Sequence, residues 1–340
     1  MIKVKILNPQ LGRNEPTFRP FFYIKDMLRD YSIDITESDD YDFLFVGMAD
    51  FINKNTSLTE SVEQGLENLS KITGDYFLFD GQDSTSLFGA YEVFEQSDAI
   101  YLFKNQTLNT RHEYKTPYIV SKWFFGENDL GVSYDIPKKN WDRIKLSGWN
   151  LGQLLQYYKN FQPVNNNKNI DICAIYSAEH GHSEEHGIRN DLFYINHRKG
   201  AWETISKLKG RYDIRSSKLP FEEYINILYN SKIALSPFGM GEVCFRDFEC
   251  AQFGTMIIKP NMSKVRTIPN VYVDGETYIA VNYDWSDLEE KIEKVLGNFT
   301  EYSYIIDNFR NKLKDEYTLD KLCLHWYNIF KNLNEIEEEN

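Results

Sequence analysis

Short apolar runs at residues 4–7, 43–46, 76–79, 99–103 and 118–120 punctuate the first half of the chain. Between them, residues 21–30, 58–70 and 84–96 carry apolar positions every third or fourth place. Runs without alternation fit strands buried on both faces, and the 3.6-residue period fits amphipathic helices. Strands separated by helices imply parallel βαβ units with right-handed crossovers. A helical pattern at 150–161 leads into Pro163-Val-Asn-Asn-Asn-Lys-Asn169, which has turn chemistry and almost no core residues. The alternation then restarts, predicting strands at 170–176, 212–215, 232–236, 255–259, 271–273 and 278–281. Helices are expected at 194–208, 221–229 and 243–253, and the end is helical over 285–296, 301–316 and 319–333.

The pattern predicts an α/β protein with two doubly wound, Rossmann-like domains facing a cleft. The expected boundaries are 1–162, 169–300 and a helical 301–340 with an acidic tail. Open parallel sheets bind ligands at the carboxyl ends of their strands, so the cleft is the expected site.

Composition narrows the function classes. At 340 residues with 42% hydrophobic and 26% charged positions, the chain is long enough for two cores and too apolar for disorder. A net charge of −13 disfavours a surface that tracks nucleic-acid phosphates. Any anionic ligand must then be held by a few local donors. The opening Met-Ile-Lys-Val-Lys-Ile-Leu reads as a strand rather than a signal peptide, and no apolar run reaches the ~20 residues of a membrane span. Cys173, Cys244, Cys250 and Cys323 show no paired spacing and read as free thiols of a cytoplasmic protein.

The densest chemical signal is residues 231–260, SKIALSPFGMGEVCFRDFECAQFGTMIIKP. It reads as strand, Gly-rich turn, helix and strand. Gly239, Met240 and Gly241 form a turn where backbone can approach a ligand closely. The helix that follows points free N–H groups and its positive end at the same place, which is an anion site. Arg246 can reach phosphate oxygens bidentately, and Glu249, on the same helix face, can accept from ribose hydroxyls. The bland alternative is a surface ion pair between Arg246 and Glu249.

This segment resembles the nucleotide-sugar half of GT-B glycosyltransferases, and most closely the exostosin-like family. The matching positions are Ser236, Pro237, Gly239, Arg246, Glu249, Gly254 and residues 256–258. The resemblance implies that Arg246 contacts the diphosphate and Glu249 the ribose of a nucleotide-sugar donor. It implies C-terminal helices packing back on the first domain and no cofactor beyond the donor substrate. A related retaining pattern places two glutamates eight positions apart. Counting back from Glu249 reaches Gly241, with Glu242 one place later, and this departure favours an inverting reaction.

Other candidates surround this segment. His197, Arg198 and Lys199 are the densest basic group, and Arg198 and Lys199 are expected to help hold the leaving diphosphate without a metal. His180, His182 and His186 with Glu184 and Glu185 are either a metal set or, with better reason, a polar loop on the cleft. Inverting transfer needs a base for the acceptor hydroxyl. Asp83, Asp80 and Glu15, on loops after first-domain strands, are the candidates in that order. Trp141 and other aromatics either stack on acceptor sugars or pack in the core, the commoner fate. The expected function is sugar transfer from a nucleotide sugar to a glycan or other hydroxyl acceptor, metal-independent. The rivals are retaining transfer, nucleotide-sugar epimerisation and a non-catalytic binding protein.

Overall fold

The computed structural model describes residues 1–7, 18–48, 57–115, 133–148, 160–177, 193–239 and 241–338. In chain order the first half contains β1 (Ile2–Ile6), α1 (Arg19–Asp30), β2 (Ile33–Thr36), β3 (Phe43–Gly47), α2 (Leu58–Leu69) and β4 (Asp75–Asp80). It continues with α3 (Ala90–Glu95), β5 (Leu102–Lys104), β6 (Gln106–Leu108), α4 (Lys138–Trp141) and β7 (Ile144–Leu146). Six of these strands form a parallel sheet in the order β2-β1-β3-β4-β5-β7. β3 is buried along its whole length, as its unbroken Phe-Leu-Phe-Val run requires.

The second half contains β8 (Ile170–Cys173), α5 (Phe193–Ser206), β9 (Ile214–Arg215), α6 (Phe221–Asn230), β10 (Ser231–Leu235) and α7 (Phe245–Phe253). It ends with β11 (Met256–Pro260), β12 (Val265–Thr267), β13 (Ile279–Val281), α8 (Leu288–Gly297), α9 (Phe299–Tyr302), α10 (Tyr304–Glu316) and α11 (Leu319–Glu338). A second parallel sheet runs β13-β11-β10-β8-β9. The expected α/β class with two Rossmann-like sheets is therefore what the chain forms.

Each sheet has its core on both faces. On one face of the first sheet, Phe21 of α1 packs against Phe45 and Phe79 in a cluster closed by Trp326 and Phe330 of α11. Trp326 is 1% exposed, so the last helix completes the first sheet's core, as expected. α10 belongs instead to the second half, where Phe309 and Leu313 join α7 and Tyr272. Among the described residues no helix is long and apolar enough to cross a membrane.

Two of these local expectations fail, and one pairing is new. The helix expected over 84–96 forms only at its end. The hydroxyls of Ser84 and Ser86 accept from the amides of Ser86 and Phe88, an alternative that competes with helical pairing. Residues 271–273 form no strand, because Thr277 Oγ1 takes the local backbone groups by donating to Val271 and accepting from the Val273 amide. An unforeseen two-stranded antiparallel ladder, β6 with β12, joins the halves. The strand expected at 118–120 and the helix at 150–161 fall largely outside the described residues.

Candidate active site at the meeting of two sheets

In the second sheet the chain forms β8 first, adds β9 on one side and β10 on the other. The strand order therefore reverses between β8 and β10, and their carboxyl ends open a crevice. A cavity of about 340 Å³ lies there, lined by Asp83, Arg198, Tyr224, Gly239, Gly241, Arg246 and Glu249 among others. The loop after β4, which carries Asp83, closes it from the first half. Sequence alone brought five second-half residues and Asp83 to one place, and the structure puts them around one cavity.

α7 starts at Phe245 rather than 243, because Asp247 caps it from within. Its carboxylate accepts from the Cys244 amide at 3.2 Å and from the Ser236 hydroxyl at 2.6 Å. Asp247 is fully buried with Lys259 at 2.5 Å and also accepts from Tyr272 at 2.7 Å. This network fixes the loop between β10 and α7. First-turn helix amides have no intrahelical acceptor, and here that turn lines the cavity.

Two guanidinium groups flank the helix start. Arg246 donates to the carbonyl of Ile175, just past β8, and its charge lies over the rings of Tyr176 at 5.6 Å and Tyr224 at 6.0 Å. Its Nε, with no partner among the described residues, leaves donor capacity unused. Arg198 donates to Phe238 at 2.9 Å and Ser177 at 2.8 Å, tying the ends of β8 and β10 together. A Cβ on Gly239 would sit 2.8 Å from Arg198 Nη2, so a side chain there would displace this guanidinium. Glu249 accepts from the Tyr224 hydroxyl at 2.6 Å and is thereby held against the cavity wall. Arg246 and Glu249 are thus not the surface ion pair of the bland reading.

The remaining candidates separate. Lys199 is exposed and does not line the cavity, since one residue along a helix turns the side chain by about 100° from Arg198. His197 is buried between Tyr283 and Trp285, and desolvation, then Arg198, push its pKa down to about 3. It is neutral, so the basic group contributes one charge here. Asp80 is fully buried and paired with Lys104 at 2.7 Å, so its carboxylate is committed to the core and is a poor base. Asp83 lines the cavity, and its carboxyl is raised by desolvation and by Asp80, with Lys104 opposing. Trp141 packs on Tyr114 under Arg266 and has a structural place. Glu15, Met240, His180, His182 and His186 lie outside the described residues. Cys244 lines the cavity and is half-buried, whereas Cys173, Cys250 and Cys323 are buried, and all four are free thiols.

Glu242, which sequence reasoning noticed only as a spacing mismatch, is 0% exposed. It accepts from the Thr85 amide at 3.1 Å, the Thr85 hydroxyl at 2.8 Å and Gln106 Nε2 at 2.6 Å. The available signal was a lone acid between glycine and an apolar run; Thr85 and Gln106 gave none. Burial pushes the Glu242 carboxyl up to about 7, while Thr85 and Lys104 pull it back. The folded protein therefore binds this proton more tightly than the unfolded chain. The resulting stability is complete below the ordinary glutamate value of 4.5 and is lost as pH rises through 7. Glu242→Gln removes the titration. From about pH 5 to pH 8.5 its stability relative to the parent should rise by on the order of 2–3 kcal/mol, read from denaturant midpoints. A difference that stays constant with pH would show that Glu242 does not titrate in this window.

No family model and no curated protein matches the chain. It is similar to several solved structures. An α-glucosyltransferase in complex with UDP-glucose and DNA containing an abasic site is 10% identical, with a TM-score of 0.47 over 97% of this chain and 99% of that one. A glycosyltransferase from Rickettsia africae is 13% identical, with a TM-score of 0.43 over 97% and 98%. Anabaena Alr3699/HepE in complex with UDP-glucose is 9% identical, with a TM-score of 0.46 over 98% and 100%.

Proposed function

We propose that the chain is a GT-B-type glycosyltransferase that moves a sugar from a nucleotide-sugar donor to a hydroxyl acceptor by inverting displacement. The observation that carries this reading is one cavity holding Arg246, Arg198 and the start of α7 on one side and Asp83 on the other. Two cations beside a helix amino end suit a diphosphate leaving group. A carboxylate contributed to the same cavity by the opposite half suits the acceptor proton. Glu249 accepts from the ribose hydroxyls. The ring of Phe221, 62% exposed on the cavity wall, offers a stacking face for the nucleobase.

In the proposed step, the acceptor oxygen attacks the anomeric carbon as Asp83 takes its proton, and the bond to the diphosphate oxygen breaks. Arg246 and Arg198 hold the departing charge. A binding protein could hold a nucleotide with the same donors, but it has no use for a carboxylate that desolvation and Asp80 raise at the cavity.

The test is a panel of UDP-, GDP- and dTDP-linked hexoses, read by thermal shift and by release of nucleoside diphosphate. At a hundredfold excess over Kd a true donor should stabilise the protein by about 2.7 kcal/mol. Stabilisation with slow diphosphate release supports the transferase. Stabilisation with no release, with or without a panel of simple glycosides as acceptors, favours the binding protein. No stabilisation by any donor overturns the reading of the cavity.

A further inference from the structure

We propose that Glu242 is a positioning residue that locks the Asp83 loop into the closed cleft; this deepens the transferase reading and rests on Asp83 as the base. Glu242 belongs to the loop after β10, yet its carboxylate is spent across the cleft. Among the described residues, the amide and hydroxyl of Thr85 and the side chain of Gln106 donate to it, all from the first half. Its own main chain is anchored behind it, since Lys259 Nζ donates to the Glu242 carbonyl at 2.8 Å from within the buried Asp247 pair. A rigid second-half stem thus presents an acceptor to a first-half loop.

The receiving loop is gripped at Asp83 and at Thr85. The Asp83 carbonyl accepts from Gln106 and lies against Gly241, where a Cβ would overlap that oxygen. The Thr85 carbonyl accepts from the Tyr114 hydroxyl at 2.8 Å. Gln106 opens β6, which pairs with β12 of the second half, so the clamp is continuous with the ladder between halves. Two apolar side chains would hold the halves together without choosing a register. A buried carboxylate is tolerated only where its donors are in place, so it selects the arrangement that supplies them. That arrangement places Asp83 on the wall of the cavity that Arg246 and Arg198 also line.

The experiment uses the full chain and two independent disruptions, Glu242→Ala and Gly241→Ala, with Glu242→Gln as the conservative variant. Amide exchange at Thr85, read against β4 amides as an internal control, needs no donor. It should accelerate by roughly tenfold or more in both alanine variants, with β4 unchanged. With the donor hexose that the parent turns over fastest, kcat should fall by roughly tenfold or more while KM moves less than about twofold. Glu242→Gln keeps an acceptor for Thr85 and should restore most of both readouts. Thr85 protection unchanged in Glu242→Ala, or kcat unchanged despite its loss, overturns the positioning role. Should Asp83→Asn turn over at the parental rate while Thr85 is released as described, the clamp stands and the base assignment fails.

Discussion

Asp83→Asn is expected to lower sugar transfer by roughly 100- to 10,000-fold, the span of general-base catalysis, with donor affinity nearly unchanged. Asparagine keeps the size and hydrogen-bonding shape of the side chain, so the loop and its hold by Gln106 should persist. What it loses is the ability to take the acceptor proton. Because desolvation and Asp80 raise the Asp83 carboxyl, the parent should also show an acid limb in kcat above the ordinary carboxylate range. A base works only when ionised, so rate should climb with pH through that limb, and the limb should vanish in the variant. Single-turnover kinetics on both proteins provides the check. Parental transfer by Asp83→Asn would move the chemistry to a retaining path in which the leaving phosphate assists.

Arg246→Ala is expected to weaken nucleoside diphosphate binding by about 2–4 kcal/mol, or roughly 30- to 1,000-fold in Kd. The chain carries a net charge of −13, so the general field opposes an anionic donor and local cations must provide the attraction. Arg246 is also held by Ile175 and two tyrosine rings, so its geometry is fixed before the donor arrives. A fixed donor loses less entropy on binding than a free one. Calorimetry decides this prediction, and the variant's midpoint in denaturant separates lost affinity from lost folding. Unchanged affinity in a folded variant would remove Arg246 from the donor site.

Both parallel sheets were legible because their central strands are apolar on both faces, as in Phe43–Gly47 and Met256–Pro260. The edge strands of the first sheet were not: β7 is three residues, and β2 follows α1 after only Tyr31 and Ser32. The Gly-rich turn and Arg246 were legible since a strand–turn–helix unit carries local signals. The clamp on the Asp83 loop was not, because Thr85, Gln106 and Glu242 are ordinary polar residues far apart in sequence. Their meaning comes from burial at a contact between halves. The failed helix over 84–96 belongs with this: the serines that break it free Thr85 to face Glu242. Lys199 and Asp80 were grouped with true cavity residues by proximity in sequence, and helix rotation and a buried lysine part them.

The packing of α11 sets an order of events on the ribosome. Phe21, Phe45 and Phe79 emerge early, but their covering residues Trp326 and Phe330 are translated after the whole second sheet. Domains commonly acquire structure in the order of synthesis, yet this first sheet must wait with an aromatic face uncovered. The second sheet, whose core draws on residues from Phe161 to Tyr317, can consolidate first. A released chain truncated before Leu319 would thus keep every residue of the second sheet's cores while leaving the face of Phe21, Phe45 and Phe79 uncovered.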